Sequence, residues 1–192
     1  VNLYSWPMFM LAISFSAILM TSTIMAAHLP RILELAGATT TMAIAAGALV
    51  GPAQVIIRVL HFSVMRKVHP LISARLAVLT HPIGAVLVLV FGAPASYAFA
   101  ILHGVGNGEI TVVRGTLPLL LFGPVGYGRR QGFLSVPTRF AQAIAPFLFA
   151  VLIERFGHYV LIVSSGLCLL SFLALLGLKY IPDRFGLETD VK

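Results

Sequence analysis

Charge is what this sequence has least of. Charged residues fill 10% of its 192 positions, thirteen Lys and Arg against six Asp and Glu. A soluble domain of this size carries about 25%, because a water-facing surface needs charge. A water-soluble globule is therefore excluded. Cysteine is nearly absent: Cys168 stands alone in an apolar run. No intrachain disulfide can form, and a structural zinc site, which recruits several Cys or His ligands, has no ligand set. There is no H-E-x-x-H pair, no helix with arginine at every third position as in a voltage sensor, and no basic segment at the start "VNLYSWPMFM" to mark a secretory signal. The start also lacks an initiator methionine, as expected of a chain that is processed, engineered or part of a longer one. The sequence predicts no metal, no other cofactor and no catalytic residue. Its +7 net charge is scattered in ones and twos, unlike a phosphate-tracking stripe, so no nucleic-acid partner is expected.

What is abundant is apolar. Hydrophobic residues make up 59% and mean hydropathy is +0.99, which reads as an integral membrane protein with the lipid bilayer as its solvent. A hydrocarbon core about 30 Å thick needs roughly 20 apolar residues in a helix. Six segments meet that length, at about 6–27, 39–62, 71–91, 97–122, 132–153 and 158–178, with "GAPAS" (92–96) as a tight turn. The fold class is an all-α membrane protein. Residues 1–181 form one six-helix bundle, and 182–192 a polar, frayed cytoplasmic tail. Lys and Arg collect on one side: Arg66, Lys67, Arg129, Arg130, Lys179, Arg184 and Lys192, with Arg58 and Arg75 at adjoining helix ends. The other side has Arg31 and Arg155, each beside an acid, Glu34 and Glu154. By the positive-inside rule both termini face the cytoplasm, and the expected location is a bacterial inner (plasma) membrane.

Two prolines sit at corresponding places when six helices are split three plus three. "GALVGPAQ" (47–54) and "AQAIAPF" (141–147) are expected to break the second and fifth helices, as in carriers built from inverted triplets. The fourth segment carries "HGVGNGEITVVRGTLPLLL" (103–121), where charge is expensive. Its Gly104, Gly106, Gly108 and Gly115 permit close helix approach. His103, Asn107 and Arg114 fall within roughly 40° of one helical stripe, with Thr111 at its edge and Glu109 pointing toward another neighbour. Lipid would penalise Arg114 by about 2.5 to 3.5 kcal/mol, so this stripe is expected to face a wet cavity. Ser135, Arg139, Gln142 and Pro146 make a matching stripe in the fifth helix. In the second, Gln54 is buried, while Arg58 and His61 lie near enough to the edge to snorkel. Ser14, Ser16 and "TST" (21–23) are expected to bond their own backbone carbonyls. His81, before Pro82, reads as a kink-associated histidine, and His28 and His158 as outer-interface residues.

The passage "YGRRQGFLSVPTRFAQAIAPFLFAVLIERFG" (127–157) resembles the stretch joining the tenth and eleventh helices of major facilitator superfamily transporters. The matching features are Tyr127-Gly128-Arg129, Gly132, Ala145-Pro146 and Glu154-Arg155-Phe156-Gly157. The loop "MRKVHP" (65–70) resembles that between the eighth and ninth helices but lacks its usual Gly and Asp, so no gating role carries over to it. The resemblance spans nearly the whole chain, as the C-terminal six of twelve helices. It implies a 3+3 inverted repeat whose first, second, fourth and fifth helices line a central cavity, and a missing or separate N-terminal six-helix half, or a second copy, as partner.

The function this implies is secondary active transport of a small-molecule substrate. Arg114, Asn107, His103, Arg139, Gln142 and Gln54 are the expected cavity-lining residues, and Glu109 the coupling candidate if burial favours its proton. Two cavity arginines against one buried acid favour an anionic or polar metabolite. The alternatives are a multidrug-type efflux carrier and, from another class, a six-helix intramembrane serine protease. For the latter, "VSSG" (163–166) is the nearest serine motif, with Val163 where glycine belongs and Ser165 as the nucleophile to test.

Overall fold

Helices account for every regular element in residues 5–63 and 68–179, the part of the chain that the computed structural model describes. The six α-helices among these residues are α1 (Trp6–Leu35), α2 (Thr40–Ser63), α3 (Pro70–Phe91), α4 (Ser96–Phe122), α5 (Tyr127–Phe156) and α6 (Val160–Leu176). Met65, Arg66 and Lys67 of the basic loop, and the tail from Tyr180 onward, lie outside the described residues.

The ends follow local chemistry. Gly37 stops α1 at φ +97°, with its N–H on the Glu34 carbonyl and the Ala38 N–H on the Leu33 carbonyl, the paired bonds of a glycine-terminated helix. The expected turn at 92–96 is there: Gly92 adopts φ +65° and a single 3-10 turn, Ala93–Ala95, leads into α4. α1 and α5 are each 30 residues long, longer at both or one end than the apolar runs that announce them, because helix propagates into polar flanks once nucleated.

The expected breaks at Pro52 and Pro146 are a correction. α2 runs through Pro52 and α5 through both Pro137 and Pro146 without interruption. A proline removes one N–H, and a helix packed on neighbours absorbs the loss without ending.

Four helical stretches are long and apolar enough to cross a membrane: Trp6–Leu35, Thr40–Ser63, Pro70–Phe91 and the continuous run Tyr127–Leu176. That last run contains α5 and α6, divided by the 3-10 turn Gly157–Tyr159. α4 is 27 residues long but falls short in hydropathy, since His103, Asn107, Glu109 and Arg114 dilute it.

α1 packs on α5 and α6, α4 packs on α2 and α3, and α3 packs on α6. Exchanging α1 with α4, α2 with α5 and α3 with α6 leaves this set of neighbours unchanged. The apolar core is split into two clusters. One gathers Leu11, Phe15, Val78, Ile110, Leu117 and Leu175; the other gathers Ile24, Leu33, Ala85, Phe99, Phe149 and Val160. Along each of α1, α3 and α4 the polar residues Thr21–Thr23, His81 and His103–Glu109 fall between the two.

Glycine sets the closest helix approach. A Cβ at Gly104 would lie 2.7 Å from the Ala53 Cβ. One at Gly108 would overlap the Ile57 side chain, and one at Gly106 would overlap Thr80 and lie 2.6 Å from the Ala77 carbonyl. α4 is thus clasped by α2 on one face and α3 on the other, as small residues allow in membranes. Gly115 carries no such constraint, since its nearest neighbour would be the Tyr127 hydroxyl at 3.8 Å.

Candidate functional site

A belt of hydrogen-bonded polar side chains runs across α2, α4, α1 and α5. It begins at Arg58, whose Nη2 donates to Gln54 Oε1 (3.2 Å) and Thr111 Oγ1 (3.3 Å). Thr111 donates to the Asn107 carbonyl one turn earlier (2.9 Å). Asn107 Oδ1 accepts from Ser22 on α1 at 2.8 Å. The next residue, Thr23, accepts from Gln142 Nε2 on α5 at 3.0 Å, and Gln142 Oε1 accepts from Arg139 at 3.2 Å. Arg114 of α4 lies near Arg139 and makes no side-chain hydrogen bond among the described residues. Neither α3 nor α6 contributes to this belt.

Parts of the two expected stripes, Asn107 with Thr111 and Arg139 with Gln142, are therefore linked through α1, while Ser135 bonds the Gln131 carbonyl of its own helix and His103 departs from the belt. Arg58, expected near the membrane edge, lies along α2 against Gln54 and reaches across to Thr111 on α4. Thr21 and Thr23 bond the i−4 carbonyls of Ala17 and Leu19, as expected; Ser22 instead crosses to α4, because its position on α1 faces Asn107.

Next to the belt, α1, α2 and α4 line an open cavity of about 320 Å³. Ser22, Gln54, His103 and Asn107 supply its polar wall; Met25, Leu29, Ile44 and Val50 are among its apolar lining. Such a volume lies at the lower end of small-molecule sites. Arg114, Arg139 and Gln142 lie outside this cavity, farther along the belt.

Glu109 turns away from both. Its Oε1 accepts from His61 Nδ1 at 2.7 Å, with both side chains buried between α2 and α4. Its Oε2 is enclosed without a partner. The expectation that Glu109 points to another neighbour is met, and the neighbour is a residue that the sequence placed at the membrane edge. None of Arg58, Arg114 and Arg139 forms an ion pair among the described residues, so the belt carries guanidinium charge with no carboxylate to neutralise it.

His103 makes a second, buried cluster. Its Nδ1 lies 3.1 Å from Nδ1 of His81 on α3, and His81 Nε2 lies 2.9 Å from Ser164 Oγ on α6. His81 is thus a bridge among three helices; α3 continues unbroken past Pro82. Sequence reasoning missed this cluster because its members are 22 and 83 residues apart. The serine that meets a histidine is Ser164 and not Ser165, whose Oγ is enclosed and unpartnered. Ser164 is fully buried and donates to the Leu161 carbonyl, so no carbonyl carbon can approach it. Other expected outliers have structural work: His28 pairs with the Pro146 carbonyl at 2.9 Å, and Arg130 donates to the Gly123 and Val125 carbonyls, holding the α4–α5 turn.

Among the described residues no group of three or more His, Cys, Asp or Glu is placed to hold a metal ion. No family model matches the chain, and no curated protein matches it.

Proposed function

We propose that this chain is a six-helix half of a secondary carrier of the major facilitator type, moving a small anionic or polar metabolite across a membrane. The observation that carries this reading is the belt: Arg58 of α2 and Arg139 of α5, with Arg114 of α4 near Arg139, and no acid paired to any of the three among the described residues. Guanidinium groups held beside amides and hydroxyls suit a carboxylate or phosphate. In lipid they would be heavily penalised, so the belt is read as lining water. Each of the six helices is then a span, with both termini cytoplasmic in a bacterial inner membrane. The neighbour pattern that survives exchange of the two helix triplets supports an inverted 3+3 repeat. Its open side is completed by an N-terminal six-helix half or a second copy. Glu109, enclosed against His61, is the coupling residue: a proton gained or lost by this pair as a whole changes the charge held between α2 and α4.

Uptake into membrane vesicles tests this directly. Labelled small carboxylates are expected to accumulate under an imposed proton gradient, and Arg114→Ala or Arg139→Ala to abolish accumulation. Extrusion of apolar cationic dyes with indifference to carboxylates would replace this reading with the efflux carrier.

A further inference from the structure

The polar groups on the wall of the α1–α2–α4 cavity have part of their hydrogen-bonding capacity already committed to protein, and what remains is determined by elimination. Arg58 can only donate, so the Gln54 atom it meets is the carbonyl oxygen. Gln54 is left with its amide N–H groups. Asn107 is in the same state, since Oδ1 takes the Ser22 hydroxyl.

For His103 the chain of reasoning starts at α6. The single Ser164 hydroxyl proton goes to the Leu161 carbonyl, so Ser164 must accept from His81, whose Nε2 carries a proton. A neutral His81 then has a lone pair at Nδ1, and His103 Nδ1 is the donor across the 3.1 Å contact. His103 is left with an unprotonated Nε2, an acceptor. None of these three nitrogens, on Gln54, Asn107 and His103, has a partner among the described residues, and none is sealed off in the way that Glu109 Oε2 is.

The cavity thus offers two amide donors, one imidazole acceptor one helical turn from Asn107, a guanidinium immediately behind Gln54, and an apolar wall. We propose that its ligand is a small hydroxy carboxylate with an apolar body. The carboxylate takes the Gln54 and Asn107 amides beside Arg58, the hydroxyl donates to His103 Nε2, and Leu29, Ile44 and Val50 receive the body. His81 and Ser164 are positioning residues: they never touch the ligand but hold His103 in the accepting tautomer. This deepens the carrier reading and rests on it for the ligand's role as cargo. A site built around a hydroxyl discriminates strongly against the analogue that lacks it, because the facing acceptor is then left bare.

The test is protection of His103 from carbethoxylation by diethyl pyrocarbonate, read by mass spectrometry on the full chain in membrane vesicles. The probes are mandelate and phenylacetate, which differ by one hydroxyl. His103 is expected to react and His81, with both nitrogens engaged, to be spared. Mandelate is expected to protect His103 at about tenfold lower concentration than phenylacetate, the ratio one hydrogen bond confers. In His81→Leu the ratio is expected to fall toward one while phenylacetate still protects. Equal protection by the two acids, or none by either while His103 reacts, overturns the proposal. So does a reactive His81 beside a spared His103. The outcomes separate from those of the carrier reading: selective protection without any uptake would leave this site standing and remove transport, and uptake of other anions without protection would do the reverse.

Discussion

His61 Nδ1 lies 2.7 Å from Glu109 Oε1, and the pair is buried at the α2–α4 contact. Two residues 48 positions apart in the chain answer each other's cost of burial, since an ionisable group taken from water is tolerated when paired.

Removing one member of that pair is expected to hurt more than removing charge from it. His61→Leu leaves the carboxylate buried alone and should destabilise by about 3 to 5 kcal/mol. Glu109→Gln keeps a hydrogen-bond acceptor for Nδ1 and should fold nearly normally, yet lose proton-driven accumulation in the vesicle assay. Thermal unfolding in detergent measures the first effect. Equal melting temperatures for His61→Leu and the parent would show that the pair is not structural.

Gly106→Ala should destabilise by about 1 to 3 kcal/mol through overpacking, since the added methyl meets Thr80 and the Ala77 carbonyl. Gly166→Ala on α6, with nothing within 4 Å, should be neutral or slightly stabilising in a helix. The comparison of the two melting curves isolates packing from helix propensity.

Cys168 is buried and should resist a water-soluble maleimide until the protein unfolds. With that background silent, Arg139→Cys should label readily if the belt lines water, whereas Val163→Cys on α6, 42% exposed, should not label if that face of α6 meets lipid. Labelling of both or of neither would remove the distinction between the two faces.

Arg58→Lys and Arg114→Lys keep the charge but lose the planar fork that matches a carboxylate. Uptake of a labelled carboxylate is expected to drop at least tenfold in each, a loss of about 1.4 kcal/mol, with the melting temperature little changed. Parental uptake in both would make the arginines structural.

Much of the fold was legible from the chain alone. The expected turn at 92–96 and the start of the third and fourth helices agree with the structure within a residue, because glycine and proline punctuate the backbone locally. The glycines of α4 were rightly read as contact points, though only three of the four, Gly104, Gly106 and Gly108, prove tight. The stripe of Asn107 and Arg114 was legible from helical period alone. The prolines misled, since a helix end depends on whether neighbouring helices support it as well as on the residue itself.

Composition determined the solvent, the helical class and the approximate limits of each helix, because burial in hydrocarbon and backbone satisfaction are averaged over each segment of some twenty residues. Periodicity determined which residues share a face. Partners were decided elsewhere. That Glu109 meets His61, that His81 meets both His103 and Ser164, and that Arg58 reaches Thr111 depend on how six helices are rotated and stacked against each other. Those rotations are set by close contacts such as Gly106 on Ala77, made between positions distant in sequence, and no local pattern encodes them.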